Sequence, residues 1–317
     1  MAANVKLPNP RKPFSRASLS LRKREIITGY LFLTPWIIGF LAFVSGPMIA
    51  SAILSFTNYD MVNVGKFVGL DNYSFIFGRD ELFWPSLLRT FRYAVIVVPI
   101  SLTGSLLAAM LLNQGLKGTT IYRTLYFLPH LTPIVASAML WGWFFDPNVG
   151  LFNHVLRNIT GLTELPGWFR DPNWAMPALI IMAMWGAVGG NNMLIFLAGL
   201  QGVPQEMYEA ASIDGAGTWA KFWHVTIPLL SPTIFFCLVL GVIGALRVFT
   251  AAFVATGGGP AYATYFYALH IYNKAFRYFE MGYASALSWI FFFITLVFTL
   301  IQFKASTKWV FYAGEVR

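Results

Sequence analysis

The hydrophobic positions of this chain do not alternate with polar ones; they run together in long blocks. A helix that crosses a bilayer needs ~20 mostly apolar residues. Six blocks reach that length, roughly 26–56, 93–112, 121–145, 174–200, 227–256 and 281–303. The pattern predicts an all-α membrane protein with six transmembrane helices over residues 26–303. Residues 1–25, with three prolines and many charges, read as a flexible N-terminal segment, and 304–317 as a polar tail. The connections 57–92 and 146–173 are long and rich in Asn, Asp, Gly, Pro and aromatics, as loops that fold over one membrane face would be. Trp84, Trp168 and Trp174 are expected at headgroup depth, where amphipathic rings collect. No internal repeat or low-complexity segment is visible.

Composition agrees with this reading. The 317 residues are 57% hydrophobic and 11% charged, against about 25% charged in soluble domains. The net charge of +9 gathers at the N-terminus, in Lys6, Arg11, Lys12, Arg16, Arg22, Lys23 and Arg24. Directly before a span, this is a topology signal rather than a nucleic-acid arm. The apolar run that follows is about 30 residues long, too long for the h-region of a cleavable signal. With six spans both termini share one side. That side carries thirteen Lys and Arg and five acids; the other carries eight of each. The termini are therefore expected in the cytoplasm. A single cysteine, Cys237, excludes an intramolecular disulfide and a Cys-based metal site.

One polar interval breaks the apolar pattern in an organised way. It runs over 204–228, VPQEMYEAASIDGAGTWAKFWHVTIP when read from Val203. Pro204 suits a helix start, and Glu206 and Glu209 suit the positive end of that helix. Asp214-Gly215 signals a turn. Thr218 is placed to cap a second helix whose apolar side holds Trp219, Phe222 and Trp223. A helix this short needs a docking partner. Its acids disfavour an anionic lipid surface, so a protein partner fits better.

These residues carry a resemblance. Glu209-Ala210-Ala211, then Gly215, then Val225-Thr226-Ile227-Pro228 resembles the EAA loop of ABC-importer permeases, in the form seen in carbohydrate permeases. YRTLYFLPHLTPIVASAMLWGWFFDPNVGLFN upstream and TGGGPAYATYFYALHIYNKAFRYFEMGYASALS downstream resemble the same subfamily, so the likeness runs from about residue 25 onward. TGGGP points to the maltose- or glycerol-phosphate-type first permease. One departure is Thr250, where the pattern leads one to expect an acid.

The resemblance implies a type I importer permease whose loop is a coupling helix. Glu209, Ala210, Ala211, Asp214 and Gly215 would dock in a cleft of a cytoplasmic ATPase subunit. The implied partners are a second homologous permease, a homodimer of ATP-binding subunits, an extracellular or periplasmic binding protein and the lipid bilayer of a bacterial plasma (inner) membrane. The chain itself needs no cofactor; ATP and Mg belong to the ATPase subunits. No nucleic acid is implied.

The residues agree that the engine lies elsewhere. There is no G-x-x-x-x-G-K-[ST] and no H-E-x-x-H. His130, His154, His224 and His270 are far apart and read as helix-surface or loop residues. Polar groups at membrane depth face the bundle interior, which draws attention to Asn191, Asn192 and Arg247. With Trp185, Phe249 and Thr250 they combine hydrogen-bonding groups and flat rings, as a sugar requires. Glycerol-phosphate uptake by the same machinery is the alternative. A stand-alone secondary transporter predicts acids inside the spans, and a membrane enzyme predicts convergent catalytic groups; neither pattern is present.

Overall fold

The computed structural model describes residues 21–311, apart from 116 and 163. The cations from Lys6 to Arg16, and Arg317, therefore lie outside the described residues, as does most of the expected flexible segment 1–25. The chain divides into two units, one ending at Ile53 and one beginning at Leu54. The described residues of the first form α1, Leu21–Leu54, whose last residue falls in the second unit, with a π-helical turn at Leu41–Ser45. The helix takes in Arg22, Lys23 and Arg24, which the sequence assigns to the flexible N-terminal segment.

The second unit holds α2 (Asp71–Gly78), α3 (Phe83–Leu112), α4 (Thr119–Leu131), α5 (Ile134–Phe144), α6 (Leu151–Thr160) and α7 (Ala175–Ala187). After these come α8 (Asn191–Gln201), α9 (Gln205–Ile213), α10 (Thr218–Ala255), α11 (Tyr267–Tyr272) and α12 (Met281–Ser306). Among the described residues four helices, α1, α3, α10 and α12, are long and apolar enough to span a bilayer. The third and fourth expected spans are each a bent pair, α4 with α5 at 92° and α7 with α8 at 45°. The first bend has a local cause. Pro133 disfavours helical geometry at Thr132, which is extended at φ −70° and ψ 126°. The second falls at Gly189-Gly190, with Gly190 also extended.

The helix α3 is the spine of this unit. Ala94, Val97, Val98, Ser101, Ser105, Ala108, Ala109 and Leu112 are buried at helical spacing, while Val95, Ile100, Leu107 and Leu111 face outward. The buried stripe packs on α7, α8, α10 and α11. Its small residues let backbones approach, as membrane helix interfaces require; Ser105 Oγ donates to the carbonyl of Ala187 across that contact at 3.1 Å.

The expected glycine-turn-helix does not end before the fifth span. From Thr218 the chain continues without a break into α10, through a π-helical turn at Phe222–Thr226. Pro232 cannot donate to the carbonyl of Pro228, and Ser231 Oγ donates to it instead at 2.6 Å. The helix does break at the other end. It stops at Leu246, Phe249 sits at φ −141° and ψ −66°, and helix resumes over Thr250–Ala255.

Both long connections are folded. Asn72 on α2 donates to the carbonyls of Ser55 and Thr57 at 2.8 and 2.9 Å. Trp168 is buried, stacks on Phe145 at 4.5 Å and donates its indole N–H to Asn153 at 2.7 Å. It anchors a loop core, whereas Trp84 and Trp174 are exposed. Asp80 is held in a second cluster. It accepts from His270 Nε2 at 2.7 Å, from Tyr283 Oη and from the backbone N–H of Leu82. Burial alone would raise the Asp80 carboxyl; the bonds from His270 and Tyr283 outweigh that and hold it well below the usual range. Because the folded pKa is depressed, this stabilisation is complete above the unfolded value of about 3.9 and is lost as pH falls from there toward the folded one. Asp80→Asn is expected to cost about 2–3 kcal/mol at pH 7, as for a hydrogen bond to a buried charge. Thermal unfolding in detergent checks this; the gap from wild type should hold from pH 8 to 5 and close below pH 4.

Candidate coupling surface and central cavity

The helix α9 and the turn after it form an exposed, well-defined surface. Pro204 is the residue before the helix, extended at φ −60° and ψ 131°. At the other end the N–H of Ala216 bonds the carbonyl of Ala211 at 2.8 Å, and the N–H of Gly215 bonds that of Ser212 at 3.1 Å. This is a Schellman closure. It needs a left-handed residue after the cap, and Gly215 sits at φ +79°. Thr218 is not a cap: Gly217 precedes the next helix and Thr218 is its first residue.

Two side-chain bonds fasten α9 to α10. Tyr208 Oη and Thr226 Oγ1 are 3.1 Å apart, and Lys221 Nζ donates to Ser212 Oγ at 2.7 Å. They hold the inner face of α9. Glu209, Ala210, Asp214 and Gly215 remain exposed, and Ala211 half-buried. Ile213 is 87% exposed and Trp219 71%, beside small residues and acids that form no ion pair among the described residues. Glu209 forms no ion pair among the described residues.

The second feature is a cavity of about 590 Å³, within the ~300–1,000 Å³ usual for small-molecule sites. It lies where the helix interruptions meet. Pro129, His130 and Thr132 come from the α4–α5 bend, Trp185, Gly186 and Asn192 flank the α7–α8 bend, and Arg247, Phe249 and Thr250 come from the break in α10. Irregular backbone at membrane depth is tolerated where it lines a cavity, and discontinuous helices mark transporter binding sites. Of the six residues expected along a substrate path, Asn192, Arg247, Trp185, Phe249 and Thr250 line this one cavity. Asn191 opens α8 and is exposed, outside the lining.

The sequence reading missed Tyr93, Ser101, His130, Thr132 and Ser137, which also line it. His130 was detectable in principle, because Pro129 and Pro133 bracket it within an apolar run. The hydroxyls of α3 and α5 give no local signal, since Ser is common at helix–helix contacts.

Residues 100–306 match the family described as the binding-protein-dependent transport system inner membrane component. The chain belongs to that family. The permease is 43% identical over 303 residues to the probable ABC transporter permease protein YesP of Bacillus subtilis (strain 168), covering 95% of this chain and 96% of the relative. It is 36% identical over 294 residues to the lactose transport system permease protein LacF of Rhizobium radiobacter, covering 91% and 97%. A crystal structure of a bacterial ABC transporter involved in the import of the acidic polysaccharide alginate contains a chain of the same fold. That chain superposes with a TM-score of 0.78 at 24% identity, over 90% of the permease and 96% of its own length. These matches make this chain a multi-pass transport subunit of type I importer fold.

Proposed function

We propose that this permease passes a carbohydrate through the bacterial plasma membrane, with both termini in the cytoplasm. An extracellular or periplasmic binding protein delivers the sugar. A second homologous permease completes the pathway, and a homodimer of ATP-binding subunits, which carries the ATP and Mg, drives it. The loop 204–228 is the coupling element, with Glu209, Ala210, Ala211, Asp214 and Gly215 as its contact surface.

The observation that carries the substrate reading is the cavity. It offers hydrogen-bonding side chains that have no partner among the described residues, notably Asn192, Arg247 and Thr250, beside the flat faces of Trp185 and Phe249. Sugars have hydroxyl rims and apolar C–H faces, and such a site meets both. The lactose permease relative supports the same class.

The test is uptake into proteoliposomes holding the assembled importer. Asn192→Ala and Trp185→Ala are each expected to lower uptake about tenfold, the equivalent of one lost interaction of ~1.4 kcal/mol. Asn191→Ala, outside the cavity, is expected to leave uptake unchanged. Wild-type uptake by both cavity variants would remove the cavity from the substrate path.

A further inference from the structure

Among the residues that line the cavity, Arg247 alone carries a fixed charge and no Asp or Glu is present. The imbalance extends beyond the lining. No acid occurs in Phe83–Leu112, Thr119–Leu131, Ile134–Phe144, Ala175–Ala187, Asn191–Gln201, Thr218–Ala255 or Met281–Ser306. The nearest structural segments therefore hold no counter-ion for Arg247. Its guanidinium donates no hydrogen bond and joins no ion pair among the described residues, and the side chain is exposed toward the cavity space. A charged group at membrane depth is costly and is kept where a pathway uses it.

The surroundings reinforce the sign. The helix α8 directs its first turn at the same wall through Asn192. A helix start favours negative charge. Thr250, next but two to Arg247, supplies a hydroxyl where an acid would have neutralised it.

We infer that the cavity selects an anionic carbohydrate, one whose carboxylate or phosphate pairs with the guanidinium of Arg247. This rests on the carbohydrate reading above and narrows its substrate class. Arg suits the role because its planar fork binds two oxygens of such a group at once. The sugar ring then lies against Trp185 and Phe249, and Asn192 and Thr250 take its hydroxyls.

The experiment uses the purified, assembled importer without its binding protein, so that affinity reports the membrane site alone. Equilibrium dialysis compares three probes: trigalacturonate, its neutral methyl ester, and sn-glycerol 3-phosphate. Trigalacturonate is expected to bind at least tenfold more tightly than the ester. Arg247→Gln is expected to erase that preference, and Arg247→Lys, which keeps the charge without the two-oxygen fork, to restore part of it. Co-purification of each variant with the other subunits confirms that it folds. Equal binding of the acid and the ester, unmoved by Arg247→Gln, overturns the charge inference and leaves the carbohydrate reading standing. Arg247-dependent binding of sn-glycerol 3-phosphate with neither trisaccharide bound overturns the carbohydrate reading and keeps Arg247 as the anion partner. Binding of the ester alone overturns the charge inference outright.

Discussion

Gly215→Val is expected to reduce ATP-driven uptake at least tenfold while the subunit still inserts and folds. The Schellman closure of α9 requires φ near +79° at this position. A side chain in the left-handed region costs roughly 1–2 kcal/mol, and a β-branched one crowds that region further. The backbone can relax only by giving up the Ala216-to-Ala211 bond, which frays the end of α9. No heavy atom lies within 4 Å of where a Cβ would stand, so the effect comes from conformation and not from a clash. Gly215→Asn, which tolerates the left-handed region, should retain most uptake. Glu209→Lys changes no backbone and is expected to weaken ATPase association by charge reversal alone. Uptake, ATPase stimulation and co-purification measured together separate these effects. Wild-type transport by Gly215→Val would refute the coupling role of this turn.

Gly189→Ala should be the most damaging small change in the second unit. A Cβ there would lie 1.8 Å from the carbonyl oxygen of Tyr126 and 2.6 Å from its carbon. Both are backbone atoms, so no rotamer change relieves the overlap. Either α4 must lift off the α7–α8 bend, or the bend itself must move. Overpacking costs about 1–3 kcal/mol where side chains can yield, and this site belongs at the upper end or beyond. Poor recovery of folded subunit and a lowered thermal midpoint are expected. Gly142→Ala is the matched control, with nothing within 4 Å of its Cβ and an expected change of less than about 1 kcal/mol. Equal midpoints for Gly189→Ala and wild type would mean that α4 does not rest on this bend.

The spans were readable because bilayer thickness sets a block length that local sequence reports directly. The bends were only half readable. Thr132-Pro133 and Gly189-Gly190 stand in plain view, yet a long apolar run hides whether such residues kink a helix slightly or turn it by 92°. Neighbouring helices decide that, through contacts such as Tyr126 on Gly189. The convergence of Asn192, Trp185, Arg247, Phe249 and Thr250 followed from polarity at membrane depth, a local property. Asp80, His270 and Tyr283 could not be paired this way. Asp80 lies 190 residues from His270 and 203 from Tyr283, and none of the three sits in a pattern that requires the others. Thr218 was misassigned as a cap for a related reason: Gly217 supplies the extended backbone without a side chain.

The unbroken run from Thr218 to Leu246 has a mechanical consequence. At 1.5 Å per residue it is a rod of about 40 Å, with the coupling turn at one end and the Arg247–Phe249 break at the other. The π-helical turn carries helical structure past Pro228, and the backbone bond that Pro232 omits is replaced by Ser231 Oγ on the carbonyl of Pro228. A stroke applied at Gly215 would thus arrive at the cavity wall with little loss, shifting the guanidinium and the Phe249 ring as one piece. The length of the stroke, and not any bending of the rod, would then set how far the site opens.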